Sequence, residues 1–226
     1  MDLKKYTVIT KAEVKKELGC SDDYAYTVLD RLHRRNKIQQ IQKGIYTASE
    51  DIYSIATAIH TPSYISFWTA SYLKGYTEQL VTTVQVASTK AYREVEFNEQ
   101  RIRFQQLPKE QFFGYEKQRS KEGAMFIVDD EKLLIDSLTH QRLLGNFDEI
   151  LKILENITVD KEKLIKYLKR INNTALYKRV GFLLERYKNI DISKEVKITD
   201  KNYTQLSVLE LGSQTDAKWR VKHDLT

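Results

Sequence analysis

The sequence predicts an α+β protein: a small N-terminal head of two helices and a hairpin, followed by a larger mixed body. Three observations predict it. Apolar residues recur at helical spacing through residues 10–34, then give way to a broken alternation over 38–46. From Leu80 to Val128 the chain runs through β-branched stretches, and from Asp129 to Tyr187 helical periodicity returns. Cap and turn residues fall at the junctions.

The 226 residues suffice for one large domain or two ordinary ones. A hydrophobic content of 41% with only two prolines argues against a disordered chain. The opening MDLKKYTVIT has no apolar run of signal-peptide type, and no stretch reaches membrane-spanning length. The single cysteine, Cys20, has no internal disulfide partner, and the four histidines lack metal-ligand spacing. The expectation is a cytoplasmic protein with no membrane association, cofactor or metal. Net charge is +6, and its distribution matters more than its sum. Arg31–Ala48 holds five Lys/Arg and no acid; Lys161–Lys188 holds nine against two glutamates.

In the head, Thr10 is an N-cap with Glu13 as its capping-box partner. The helix it opens, KAEVKKEL, is expected to turn Ala12, Val14 and Leu18 inward and to stop at Gly19. Ser21 caps the next helix, and Asp22 and Asp23 sit where the helix dipole favours negative charge. Ala25, Val28, Leu29 and Leu32 form one buried stripe. The opposite face carries Asp23, Thr27, Asp30, Arg31 and Arg34, with Tyr26 and Lys37 at its edges. Ile38, Ile41, Ile45 and Tyr46 then alternate imperfectly with Gln39, Gln40, Gln42 and Lys43, and Gly44 permits a turn. Helix, tight turn, helix and basic hairpin in that order is the winged helix-turn-helix pattern, in which the second helix reads a groove and the hairpin follows phosphates. A packed hairpin with a solvated basic face is the alternative. Asp23 and Asp30 run against DNA binding unless they accept from cytosine or orient an arginine. Few residues precede the first helix, so a later segment is expected to cover that surface.

Beyond the head, DIYSIATAIH reads as a helix ended by Pro62, and a second helix spans about Ser66–Lys74 before Gly75. Strands are expected in LVTTVQVAS, on both sides of Asn98-Glu99, in QFFGY and in GAMFIV. Asp129 or Asp130 caps the helix EKLLIDSL. Three helical stripes follow: Phe147, Ile150, Leu151 and Leu154; Leu164, Ile165 and Leu168; and Val180, Leu183, Leu184 and Tyr187, with Gly181 marking close helix packing. The last forty residues are strand-like. This divides the chain into 1–60, the head, and 61–226, the α+β body.

Catalytic signatures are missing: no glycine-rich phosphate loop, no GxSxG, no Cys–His pairing. Glu131 and Asp136 are five apart, which separates them on a helix, and an acid-rich helix N-terminus needs no metal. The expectation is a non-enzyme. The enzyme alternative would use the acids at 129–136 on nucleic acid.

Together the segments LGCSDDYAYTVLDRLHRRNKIQQIQKGIYT, PSYISFWTASYLKG, EQFFGY, VDDEKLLIDSL and the terminal AKWRV, in this order, resemble the AbiEi family of antitoxins. Asn36 departs from the glycine more usual between the second helix and the wing, though asparagine also accepts a left-handed conformation. The resemblance implies a winged helix that binds double-stranded DNA and represses its own operon. It also implies a C-terminal domain that neutralises a nucleotidyltransferase-like toxin, often without a stable complex. It places DNA reading on Tyr24, Tyr26, Thr27, Arg31, Arg34, Arg35 and Lys43. Glu131, Lys132 and Asp136 match its best-marked C-terminal segment, where a structural role in a buried ion pair is favoured. Lys163, Lys166, Lys169, Arg170, Lys178 and Arg179 fit additional phosphate contact or, alternatively, the solvated faces of two helices. The rival function is a protein-interaction module with a vestigial winged helix, whose body binds a partner toxin directly.

Overall fold

Thr10 opens the first helix as its spacing to Glu13 requires. In the computed structural model, which describes residues 2–225, its hydroxyl accepts from the Ala12 N–H while Glu13 reaches back to the Thr10 N–H at 3.0 Å. Helix α1 (Lys11–Leu18) is short, and only Val14 is buried; Ala12 and Leu18, expected inside, face out. The inward side is filled instead by Ile9, with Leu3 and Tyr6 packed against the cluster of Val14, Ala25, Leu29 and Ile38. A 3-10 turn at Leu3–Lys5 precedes α1 in place of a leading helix, and Tyr6 fixes it by donating to Glu17 at 2.6 Å.

Helix α2 (Asp22–Arg34) has Ser21 as its N-cap, and its expected stripe is inside: Ala25 and Leu29 buried, Val28 and Leu32 partly so. Its end explains Asn36. The Asn36 N–H donates to His33 O at 2.9 Å and the Lys37 N–H to Leu32 O at 2.9 Å, with Asn36 at φ +53°. This is a Schellman stop with asparagine in the left-handed position. Asn36→Ala is therefore expected to cost about 1 kcal/mol and Asn36→Gly nothing, read from urea denaturation midpoints.

Strands β1 (Ile9–Thr10), β2 (Gln39–Gln42) and β3 (Ile45–Thr47) form a sheet of order β1-β3-β2, turned at Gly44 with φ +78°. A bulge between Gln40 and Gln42 accounts for the imperfect alternation, because the extra residue shifts Ile41 back inward.

Helix α3 (Ile52–Ala58) is capped by Asp51. A six-stranded sheet follows, built from β4 (Ser63–Ile65), β5 (Thr83–Ser88), β6 (Val95–Phe97), β7 (Gln100–Gln106), β8 (Tyr115–Arg119) and β9 (Ala124–Val128) in the order β6-β7-β5-β4-β9-β8. β6 and β7 turn at Asn98 and Glu99, both at positive φ as a two-residue hairpin loop demands. Two strand expectations need correction. Ser63–Ile65 is a strand, buried on both sides and too short to show a period. QFFGY is not one: Lys109–Gln111 makes a 3-10 turn and pairing starts only at Tyr115.

Helices α4 (Phe67–Leu73), α5 (Asp130–Thr139), α6 (Asp148–Asn156), α7 (Lys161–Ile171) and α8 (Thr174–Lys188) follow the expected pattern, and α5 contacts each of the other four. A small sheet of β10 (Thr204–Gln205), β12 (Val221–His223) and β11 (Gln214–Asp216) closes the chain. Gly181 does mark a close approach, but its partner is the buried indole of Trp219 rather than another helix.

Contacts divide the chain into two units. The first holds the residues up to Ile65 together with Thr82–Leu107 and Glu116–Ile127; the second holds Ser66–Val81, Pro108–Tyr115 and the residues from Val128 on. The division runs through the segment expected from the sequence to be one body at 61–226. Within the first unit β2 lies beside β6, and Glu122 accepts from Ser49 Oγ at 2.6 Å and the Glu50 N–H at 3.0 Å, so a later segment does cover part of the head. Among the described residues no helix is long and apolar enough to cross a membrane.

Candidate nucleic-acid interface

Helix α2 shows solvent a face made by what its buried stripe leaves over. Tyr24, Thr27 and Arg31 fall at i, i+3 and i+7, one above another, with Arg34 and Arg35 at the C-terminal end. All are exposed, as are Tyr26 and Lys43, the latter at the hairpin turn. Tyr26 stands on the side toward Tyr46: burial, then the nearby Tyr26 and Asp30, raise the Tyr46 phenol. His33 Nδ1 meets Ile38 O at 3.2 Å and its ring lies 5.7 Å from Tyr46, which fixes the hairpin to the helix end.

Of the three aspartates of α2, Asp22 and Asp30 are paired, while Asp23 is exposed and its carboxylate makes no ion pair among the described residues. Asp22 pairs with Lys11 at 2.5 Å and with Lys15, and these two lysines of α1 hold its carboxyl at about 2. Asp30 pairs with Arg34 at 3.0 Å one turn on. An exposed pair of this kind contributes only about 0.3–0.5 kcal/mol, so Asp30 holds Arg34 only weakly. The Lys11–Asp22–Lys15 clamp is not legible in the sequence, because it joins two helices and has no single-helix spacing.

The C-terminal motif lies in the second unit and is internal. Lys132 and Asp136 are an ion pair with both side chains buried, and Ser66 donates to the other carboxylate oxygen at 2.9 Å. Lys132 Nζ lies 5.2 Å from the Phe113 ring centre. A side chain at Gly114, at φ +72°, would come within 2.8 Å of Lys132 Cβ. The segments YIS (through Ser66), QFFGY and DDEKLLIDSL thus converge on one buried cluster. Glu131 accepts from the Asp160 N–H at 2.9 Å and pairs with Lys163 at 2.7 Å. Asp129 accepts from Tyr167 at 2.7 Å, and Asp130 pairs with Lys74 at 2.8 Å. Burial and then the bond to Asp129 push the Tyr167 phenol up to about 12.

The second basic block needs correcting. Lys178 is buried and donates to Asp200 and to Asn202 O, both at 2.6 Å, tying a C-terminal loop to α8. Arg179 donates to Gln205 O at 2.9 Å, and burial lowers its guanidinium. Burial lowers the Lys163 ammonium too, but Glu131 and Asp129 outweigh it and hold the group above its ordinary value. Arg170 lies over Phe113 at 4.1 Å. Of the six cations, Lys166, Lys169 and Arg170 are exposed with no ion pair among the described residues, and Arg170 donates to Glu110 O at 3.1 Å. The charge count in the sequence is right, but much of that charge balances internal carboxylates and carbonyls.

Neither the scan of family models nor the search of curated proteins finds a match to this chain.

Proposed function

We propose that the head is a winged helix-turn-helix that binds double-stranded DNA, and that the chain is a non-enzymatic transcriptional regulator acting as an autorepressor and antitoxin. The observation that carries the DNA reading is the outward face of α2. It presents Tyr24 and Thr27 followed by Arg31, Arg34 and Arg35 toward its C-terminal end, with Asp22 paired to Lys11 and Lys15 and Asp30 to Arg34. The tyrosine and threonine suit base edges, and the arginines suit phosphates and guanine. The antitoxin role is supported by the order of the AbiEi-like segments alone, and co-expression with the neighbouring gene tests it. Rescue from that gene's toxicity is the expected result, and unrelieved toxicity would count against it.

Reversing Arg34 or Lys43 to glutamate should weaken binding to every duplex. Each reversal should also reduce the slope of log affinity against log salt by about one unit for every phosphate the side chain no longer neutralises. Fluorescence anisotropy across a salt series reads this directly, and an unchanged slope removes the residue from the interface. Changes at Tyr24 or Thr27 should alter which sequence is preferred.

A further inference from the structure

A loop of the second unit holds apolar side chains outward with a set of dedicated hydrogen bonds. Gln141, 1% exposed, donates to Leu206 O at 2.8 Å and accepts the Val208 N–H at 2.7 Å. The Ser207 hydroxyl accepts from the N–H groups of Leu209 at 3.0 Å and Glu210 at 3.2 Å, and Gln205 accepts the Gly212 N–H at 2.9 Å. Pinned at five points, the loop leaves Val208 46% and Leu211 80% exposed. A rigid loop with protruding apolar side chains is what a protein contact uses, since little ordering is left to do on binding. Beside it lies a cavity of 180 Å³ lined by three carboxylates, Asp148, Glu210 and Asp224, together with His223, and by no lysine or arginine among the described residues. This acidic, apolar patch sits on a chain of net charge +6.

The complementary pattern occurs on the same chain. The face of α2 exposes Tyr24 at 52% and Tyr26 at 66%, followed by Arg31, Arg34 and Arg35 toward its C-terminal end, with Asp23 and the Arg34-paired Asp30 on the same face. A face with exposed aromatic rings at one end and guanidinium groups at the other suits an apolar loop flanked by carboxylates. We propose that the Val208–Leu211 loop of one copy docks on the Tyr24–Arg34 face of a second copy, so that self-association and nucleic acid compete for the head. The competition rests on the DNA reading above; the docking does not. Because the two patches differ, the contact is heterologous.

Sedimentation velocity on the full chain at low and high salt tests the docking. Association that weakens with salt is expected, with Glu210→Arg and Arg34→Glu each reducing it about tenfold or more. Leu211→Ser should act likewise. An equimolar mixture of Glu210→Arg and Arg34→Glu copies should associate again, because each reversed charge meets its opposite on the other copy. All three residues are exposed, so the variants retain the native circular dichroism. A chain that stays monomeric throughout, or one whose association survives both reversals, overturns the docking. Adding a bound duplex should return the assembly to single copies, and a duplex that binds without doing so overturns the competition. If no duplex binds while the charge-swap result holds, the DNA reading fails and the docking stands.

Discussion

Asp136→Asn is expected to destabilise the protein by about 3–5 kcal/mol, enough to unfold a marginal domain. The substitution keeps an acceptor for Ser66 but leaves the Lys132 ammonium in the core without its carboxylate. The cost comes from an uncompensated buried charge and not from the loss of a favourable pair. Lys132→Met added to Asp136→Asn should therefore recover most of the stability, with methionine following the path of the lysine stem past Gly114. Urea denaturation of the two single variants and the double variant reads the cycle. Additive losses would show that the pair is not a unit. Recovery in the double variant would mark a structural cluster, and would account for three of the five AbiEi-like segments without assigning them to a partner.

Gly181→Ala is the second large effect. A Cβ at this position of α8 overlaps the Trp219 indole, which is buried and donates through Nε1 to Glu185 at 2.6 Å. If the indole holds its place the strain is about 1–3 kcal/mol, and if it is expelled the loss rises toward the ~3–5 kcal/mol of deleting a core tryptophan. In a Trp219→Ala background the overlap is gone, and Gly181→Ala should stabilise α8 by about 1 kcal/mol through helix propensity. A loss of the same size in both backgrounds would place the strain elsewhere. The terminal AKWRV segment is explained by this contact.

The parts of the fold legible in the sequence are those fixed by local chemistry. The Thr10 and Ser21 caps, the Ala25–Leu32 stripe, the Asn98-Glu99 hairpin and the α5–α8 stripes each depend on neighbours a few residues away. What is not legible depends on distant partners. Ser63–Ile65 is a strand only because β5 and β9 flank it. Lys178 looks like a surface cation in the sequence, and only the folded chain brings Asp200 and Asn202 around it. Ala12 and Leu18 fit a helical face, but the core they would enter is already closed by Ile9, Leu3 and Tyr6. For the candidate interface, exposure is readable from the pattern, because the residues placed on α2 lie away from its buried stripe. The pairing of Asp22 with Lys11 and Lys15 is not, because it joins two helices.

The most direct test is a titration of the full chain against the duplex immediately upstream of its coding sequence, beside a scrambled duplex of equal length at physiological salt. The DNA-regulator account predicts a preference of about a thousandfold or more for the upstream duplex. Equal, weak binding to both would contradict it and reduce the basic face of α2 to a nonspecific electrostatic surface.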